Sequence, residues 1–308
     1  MKSLTFPTLV TFFIVVSTLS SCSKFFDGVV QEIEFPEHTP RIVPTLIVND
    51  EAERIIALVS SSASTLDSEG PQVIEDAVLT ISNESEILYS MDENNLFDGL
   101  YILELDDKLG MLEGPITLRV ESPSFDEVSS TSTMPDKPVY TVDFQESADT
   151  INNVWGFDIL DRYTFNIETT SPSSKHFIIK FYMKYIDLYT EEISDWETMY
   201  SYPSFDPRIT LNYFINGVMI YEESNSSSAT SLNDLAINIQ RYSEYFTIVE
   251  RKVVVEAISD DLFKYYMSLE RIASVDFQLF SEPTLSYSNV SGGFGCFGLG
   301  SVTETIIE

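Results

Sequence analysis

From Arg41 onward, apolar residues recur in short runs that alternate with polar ones or are β-branched, and turn formers cut the runs every few residues. That period of two confines the chain to strands of moderate length and excludes a helical bundle or coiled coil. Ile42–Val48, Arg54–Val59, Ala77–Ile81, Glu86–Met91, Leu100–Leu105 and Ile116–Val120 read as strands, with Gly70-Pro71, Asp98-Gly99 and Gly114-Pro115 among the breakers. Six strands over about 80 residues fit a small β-sandwich spanning residues 41–135. Ser122–Pro138 is rich in Ser, Thr and Pro without an apolar period, and reads as a linker or domain edge.

Residues 136–308 are longer and more aromatic. In Lys175–Tyr189, Phe177, Ile179, Phe181, Met183 and Tyr185 share one face, while His176, Lys180 and Lys184 share the other. Leu211–Ile215 and Val218–Glu222 flank Asn216-Gly217, which predicts a two-residue type I′ hairpin turn. Thr247–Ile258 reads as a long strand. The spacing of Leu262, Tyr266, Leu269 and Ala273 predicts one helix over 260–273, with Ser259 as N-cap and two acids in its first turn. The expectation is a mainly β protein, with an N-terminal β-sandwich followed by a larger β-rich domain carrying one C-terminal helix.

The segment before Arg41 has a different character. Lys2 precedes an apolar run beginning Leu9–Val16, which gives way to Ser17-Thr18-Leu19-Ser20-Ser21-Cys22. The run is shorter than the roughly 20 residues that span a bilayer, so residues 1–21 read as a secretory signal. Leu19-Ser20-Ser21-Cys22 resembles the bacterial lipobox, which makes Cys22 the expected lipidation site. Residues 22–40, with Asp27, Glu32, Glu34, Glu37, Pro36 and Pro40, read as an extended acidic tether.

Charge narrows the function. The chain has 49 acidic and 17 basic residues, a net −32. Nucleic-acid binding needs clustered Lys and Arg and is excluded on this ground. Adhesion to an anionic lipid surface is disfavoured for the same reason, so membrane attachment falls to the lipid anchor. Of the two cysteines, Cys22 is consumed by acylation, which leaves Cys296 as a buried free thiol. His38 and His176 are the only histidines, and no Cys/His ligand spacing or nucleophile elbow occurs. No catalytic residue, metal or cofactor is therefore assigned, although abundant carboxylates leave a glycosidase-like acid pair open.

Two segments carry sharper expectations. Gly293-Phe294-Gly295-Cys296-Phe297-Gly298 matches the dinucleotide fingerprint by letter, but too little chain follows for a βαβ unit. So dense a glycine cluster predicts positive φ or very close packing instead. Glu191–Tyr202 combines Trp196, Tyr200 and Tyr202 with acidic residues after a long strand, a composition suited to a partner contact.

Ser259-Asp260-Asp261, Tyr265-Tyr266, Glu282-Pro283 and Ser288-Asn289-Val290-Ser291-Gly292-Gly293-Phe294-Gly295-Cys296-Phe297-Gly298 resemble the C-terminus of a Bacteroidota outer-membrane lipoprotein family, domain of unknown function 4249 (DUF4249). Ala77-Val78-Leu79-Thr80-Ile81, Asp98-Gly99-Leu100-Tyr101 and Thr133-Met134-Pro135 look like its N-terminal half, which is similar to an immunoglobulin-like or transthyretin-like sandwich. The resemblance implies an outer-membrane location and a non-catalytic accessory or binding role beside a TonB-dependent β-barrel transporter. A carboxylate-dependent hydrolase of glycan or peptide, and a structural or adhesive surface lipoprotein, are the alternatives.

Overall fold

Where one face of a strand is buried, alternation fixes both its register and its inward side chains. The computed structural model describes residues 38–307 except 65–69, 154–155, 169–174, 202–205, 213–214, 216, 222–231, 242–245 and 276–285. The chain divides into two units, Met1–Thr39 and Pro40–Glu308, and the second contains all of the elements described below. It is mainly β.

The strands of the first part are β1 (Ile42–Asn49), β2 (Arg54–Ser61), β3 (Val78–Ser82), β4 (Ile87–Met91), β5 (Leu96–Phe97), β6 (Leu100–Glu104), β7 (Pro115–Ser122) and β8 (Phe125–Thr133). Those that follow are β9 (Val139–Asn153), β10 (Gly156–Glu168), β11 (His176–Asp187), β12 (Glu197–Met199), β13 (Ile209–Asn212), β14 (Gly217–Tyr221), β15 (Leu232–Arg241), β16 (Phe246–Ile258) and β17 (Cys296–Ile307). Helix α1 (Asp260–Val275) lies between the last two.

Among the described residues these strands form three sheets. The largest has ten strands in the order β13-β14-β11-β16-β17-β1-β2-β6-β5, with β12 paired on β11. The others run β15-β10-β9 and β4-β3-β7-β8. β17 runs parallel to β1 and antiparallel to β16, which puts the last strand in the middle of the largest sheet. The expected boundary between 41–135 and 136–308 is therefore crossed by a continuous hydrogen-bonded sheet, and Pro40–Glu308 is one unit.

The alternation sorts side chains into distinct cores. Leu46, Ile55, Leu79, Ile81, Tyr101, Ile116, Leu118 and Val120 pack together with Phe297 and Leu299 from β17. Phe177, Ile179 and Phe181 of β11 pack with Tyr163 and Phe165 of β10, Ile237 of β15, and Val253 and Val255 of β16. On the opposite face of the large sheet, Leu262 of α1 covers Ile178, Ile258 and Cys296. Each such buried Leu, Ile or Phe contributes about 1.5–3 kcal/mol. Ser259 caps α1 as expected: its Oγ accepts from the Leu262 amide at 3.4 Å.

Two local expectations are corrected. Ser122–Pro138 is no linker, because it contains strand β8. Val128, Ser130 and Ser132 form its buried face, and small hydroxyls there leave room for the chain before β17. Ser129 and Ser291 exchange backbone hydrogen bonds, and Ser130 Oγ donates to Asn289 O at 2.9 Å. An apolar period cannot register such a face.

The hairpin at Asn216-Gly217 also differs. β13 pairs Asn212 with Gly217, so the connection is four residues long and Gly217 lies within β14. A Cβ at Gly217 would stand 3.1 Å from Ile179 O of β11, so this glycine serves close strand approach rather than a turn.

Candidate interaction surface

β11 stays paired to β16 as far as Asp187, where the chain reverses. One Asp187 carboxylate oxygen accepts from the Tyr189 and Thr190 amides at 2.7 and 3.0 Å, which holds this carboxyl below the usual carboxylate range. The Glu191 amide donates to Asp187 O at 2.9 Å, and Glu191 adopts a φ of +61° to close the turn. Asp187 N donates to Glu192 O at 3.1 Å, and Ser194 N donates to Tyr185 O at 2.9 Å. Ser194 Oγ in turn accepts from Tyr185 N at 3.1 Å, and Ile186 bridges Ile193. The reversal is a built turn.

That turn carries apolar side chains outward. Leu188 is 55% exposed, Tyr189 79% and Ile193 64%; Tyr200, beyond β12, is 58% exposed. Burying such groups against a partner is favourable by about 25 cal/mol per Å² of apolar surface, and the pinned backbone lowers the ordering cost of doing so. Glu191, Glu192 and Asp195 of the same segment are exposed as well.

The residues anticipated for this role take different positions. Tyr200 is exposed at the end of the segment. Trp196 is half-buried on the sheet, with Lys184 and Lys252 ammonium groups 4.7 and 4.9 Å from its ring centroid. Tyr202 and Cys22 lie outside the described residues. Sequence reasoning missed Leu188, Tyr189 and Ile193; the available signal was large apolar residues stranded among Asp, Glu, Ser and Thr in a turn.

Other reactive groups are engaged structurally. His176 stacks on Phe263 with centroids 3.8 Å apart and planes 3° from parallel, and its Nε2 lies 3.2 Å from Asp260 Oδ1. Burial lowers its pKa, against the opposing pull of Asp260. Cys296 is a fully buried free thiol whose pKa burial pushes up to about 12. Among the described residues, no group of three or more His, Cys, Asp or Glu could hold a metal ion.

The glycine cluster shows both features expected of it. Gly292 and Gly295 have φ of +84° and +115°. A Cβ on Gly293 would collide with Ile42 O, and one on Gly298 would stand 2.8 Å from Leu262 Cδ1. Asn289 completes the entry to β17: its Oδ1 accepts from Phe297 N at 3.0 Å and its Nδ2 donates to Phe297 O at 2.9 Å. This side chain replaces a neighbouring strand at the point where the sheet begins.

The family model DUF4249, a domain of unknown function, matches residues 30–306. The chain belongs to the DUF4249 family. In this DUF4249 protein, the glycine signature is thus a packing seam binding β17 to β1 and α1. No curated protein matches the chain. Sixteen chains of solved structures do. One is the crystal structure of trypsin-activated α-2-macroglobulin from Escherichia coli, at 7% identity and a TM-score of 0.21. That match covers 75% of this chain and 15% of the macroglobulin.

A thiol titration follows from Cys296. Native protein is expected to resist a thiol reagent at neutral pH, because a thiol with a pKa near 12 is protonated and also sealed in the core. Protein denatured without prior reduction is expected to release a single equivalent, from Cys296. Rapid labelling of native protein would show that the segment before β17 opens readily.

Proposed function

We propose that this DUF4249 protein is a lipid-anchored, non-catalytic accessory or binding component of the bacterial outer membrane, partnering a TonB-dependent β-barrel transporter in uptake. The lipobox-like Leu19–Cys22 supports the anchor, and the family resemblance supports the transporter context. The observation that carries the binding role is the pinned turn after β11, which exposes Leu188, Tyr189 and Ile193. A surface device of this kind contributes apolar contact area without first having to order itself. Anchoring in the same membrane raises the effective concentration of the two partners, so a modest interface suffices.

Co-purification from outer membranes in mild detergent tests the reading. Tyr189→Ala combined with Ile193→Asp is expected to reduce recovery of the β-barrel partner by about tenfold or more, as hot-spot losses do. Thermal stability should stay close to that of the parent, since exposed positions usually change it by no more than about 0.5 kcal/mol. Trp196→Ala is the informative companion, because removing the ring that Lys184 and Lys252 cover should loosen the loop and lower both stability and recovery. Unchanged recovery with the double variant would remove the loop from the interface. Turnover of a glycan or peptide that vanishes on neutralising a carboxylate would instead favour the hydrolase.

A further inference from the structure

We infer that the face this loop docks against is a protein surface with an apolar centre and a collar of lysine and arginine side chains; the inference rests on the binding role proposed above. Its basis is the charge on the turn that carries the exposed Leu188, Tyr189 and Ile193. Glu191, Glu192 and Asp195 are exposed on the same segment, interleaved with these groups in the chain, and none of the three forms an ion pair among the described residues. The lysines that could have neutralised them are committed elsewhere. Lys184 lies over Trp196 and 3.8 Å from Glu250, while Lys252 lies over Trp196 and Tyr182 and 3.7 Å from Glu304. The rim is left with an uncompensated negative field.

This constrains what can cover the patch. Bringing a partner against Leu188, Tyr189 and Ile193 draws the neighbouring carboxylates to the edge of a low-dielectric interface. An unpaired charge buried there is strongly unfavourable, whereas a charge-assisted contact with Lys or Arg offsets that cost. A second copy of this chain would bring its own −32 and the same acidic rim, so like charges would meet at the contact. An anionic lipid surface is disfavoured by the same repulsion. A basic collar around an apolar pocket satisfies both the exposed aromatic and aliphatic groups and the three acids. It also speeds encounter through long-range steering.

The experiment uses full-length, acylated protein in its own outer membrane, with p-benzoylphenylalanine in place of Ile193 and, as a control, in place of Ile87 on β4, which is 67% exposed. Irradiation is expected to produce an adduct from position 193 but not from 87. Peptide mapping should place the attachment point in an apolar segment with Lys or Arg close by. Glu191→Lys, Glu192→Lys and Asp195→Lys together should cut the adduct yield by about tenfold, and raising salt from about 0.05 M to about 0.5 M should lower it similarly. If the adduct forms but its yield ignores both charge reversal and salt, or the mapped site lacks basic residues, the collar is wrong while the loop remains the contact. An adduct between two copies of this chain also overturns the inference. If position 193 gives no adduct above the position 87 control, the binding role itself falls.

Discussion

Gly295→Ala is expected to lower the stability of this protein by about 4 kcal/mol or more, a loss confined to a short list of severe mechanisms. Two independent penalties meet at this residue. Its φ is +115°, where a side chain is strained, and a Cβ there would collide with Pro44 O and lie 2.9 Å from Pro44 C. The obstructing atoms are backbone of β1, which is paired to β2 on one side and to β17 on the other. Relief therefore requires moving a central strand rather than rotating a side chain. Gly114 provides the control, because its φ is +74° and a Cβ there would meet nothing within 4 Å. Gly114→Ala should cost only the conformational penalty of about 1–2 kcal/mol. Denaturant midpoints of the two variants decide the matter. Since whole domains are stable by only about 5–15 kcal/mol, Gly295→Ala should also fold poorly in cells. Equal midpoints would mean that β1 yields easily and the glycine signature is not a packing seam.

The contrast between these glycines marks where sequence reading succeeds and where it stops. A dense run of glycines implies unusual backbone or close approach, and both occur. Which partner each glycine approaches is set by the pairing of β17 with β1, such as Thr45 with Cys296. Nothing local in either strand encodes a pairing between residues so far apart in the chain. The long alternation in β11 is legible because Phe177, Ile179 and Phe181 are buried on one face while Lys180 and Lys184 sit on the other. β8 is opaque because its buried face includes Ser130 and Ser132, whose value lies in size and hydrogen bonding rather than hydrophobicity. In the loop after β11, composition points to an interaction surface but ranks its residues poorly. Trp196 is the largest apolar group, and for that reason it packs on the sheet, where its area is best used. Leu188 and Tyr189 look like a continuation of the strand pattern, yet the Asp187 turn carries them into solvent.

On the proposed lipid anchor, Cys22→Ala, placed behind a secretory signal that the ordinary signal peptidase cleaves, is expected to move the protein from the membrane fraction to the soluble one. Two features of the sequence combine here, the N-terminal layout and the charge of the rest of the chain. Lys2, the apolar run through Val16 and Leu19-Ser20-Ser21-Cys22 read as a secretory signal that ends at the cysteine proposed for acylation. Acyl chains contribute about 0.8 kcal/mol per buried methylene, so one chain holds a protein marginally and several hold it firmly. The remainder of the chain does little to replace them. The full chain's net charge of −32 repels anionic headgroups, and no helix among the described residues is long and apolar enough to cross a membrane. Removing the thiol should therefore shift the membrane-to-soluble ratio by about a hundredfold or more, where loss of a single weakly binding chain would shift it far less. Labelling with radioactive palmitate, followed by fractionation, reads both consequences at once. Behind its own signal, the same substitution should give an unlabelled and unprocessed precursor, because the lipoprotein peptidase acts after acylation. Retained label would mean that another residue is acylated. Loss of label from the cleaved variant with an unchanged membrane pool would mean that partner binding alone holds the protein in place. The loop after β11 would then have to supply far more than the modest affinity that tethering otherwise permits.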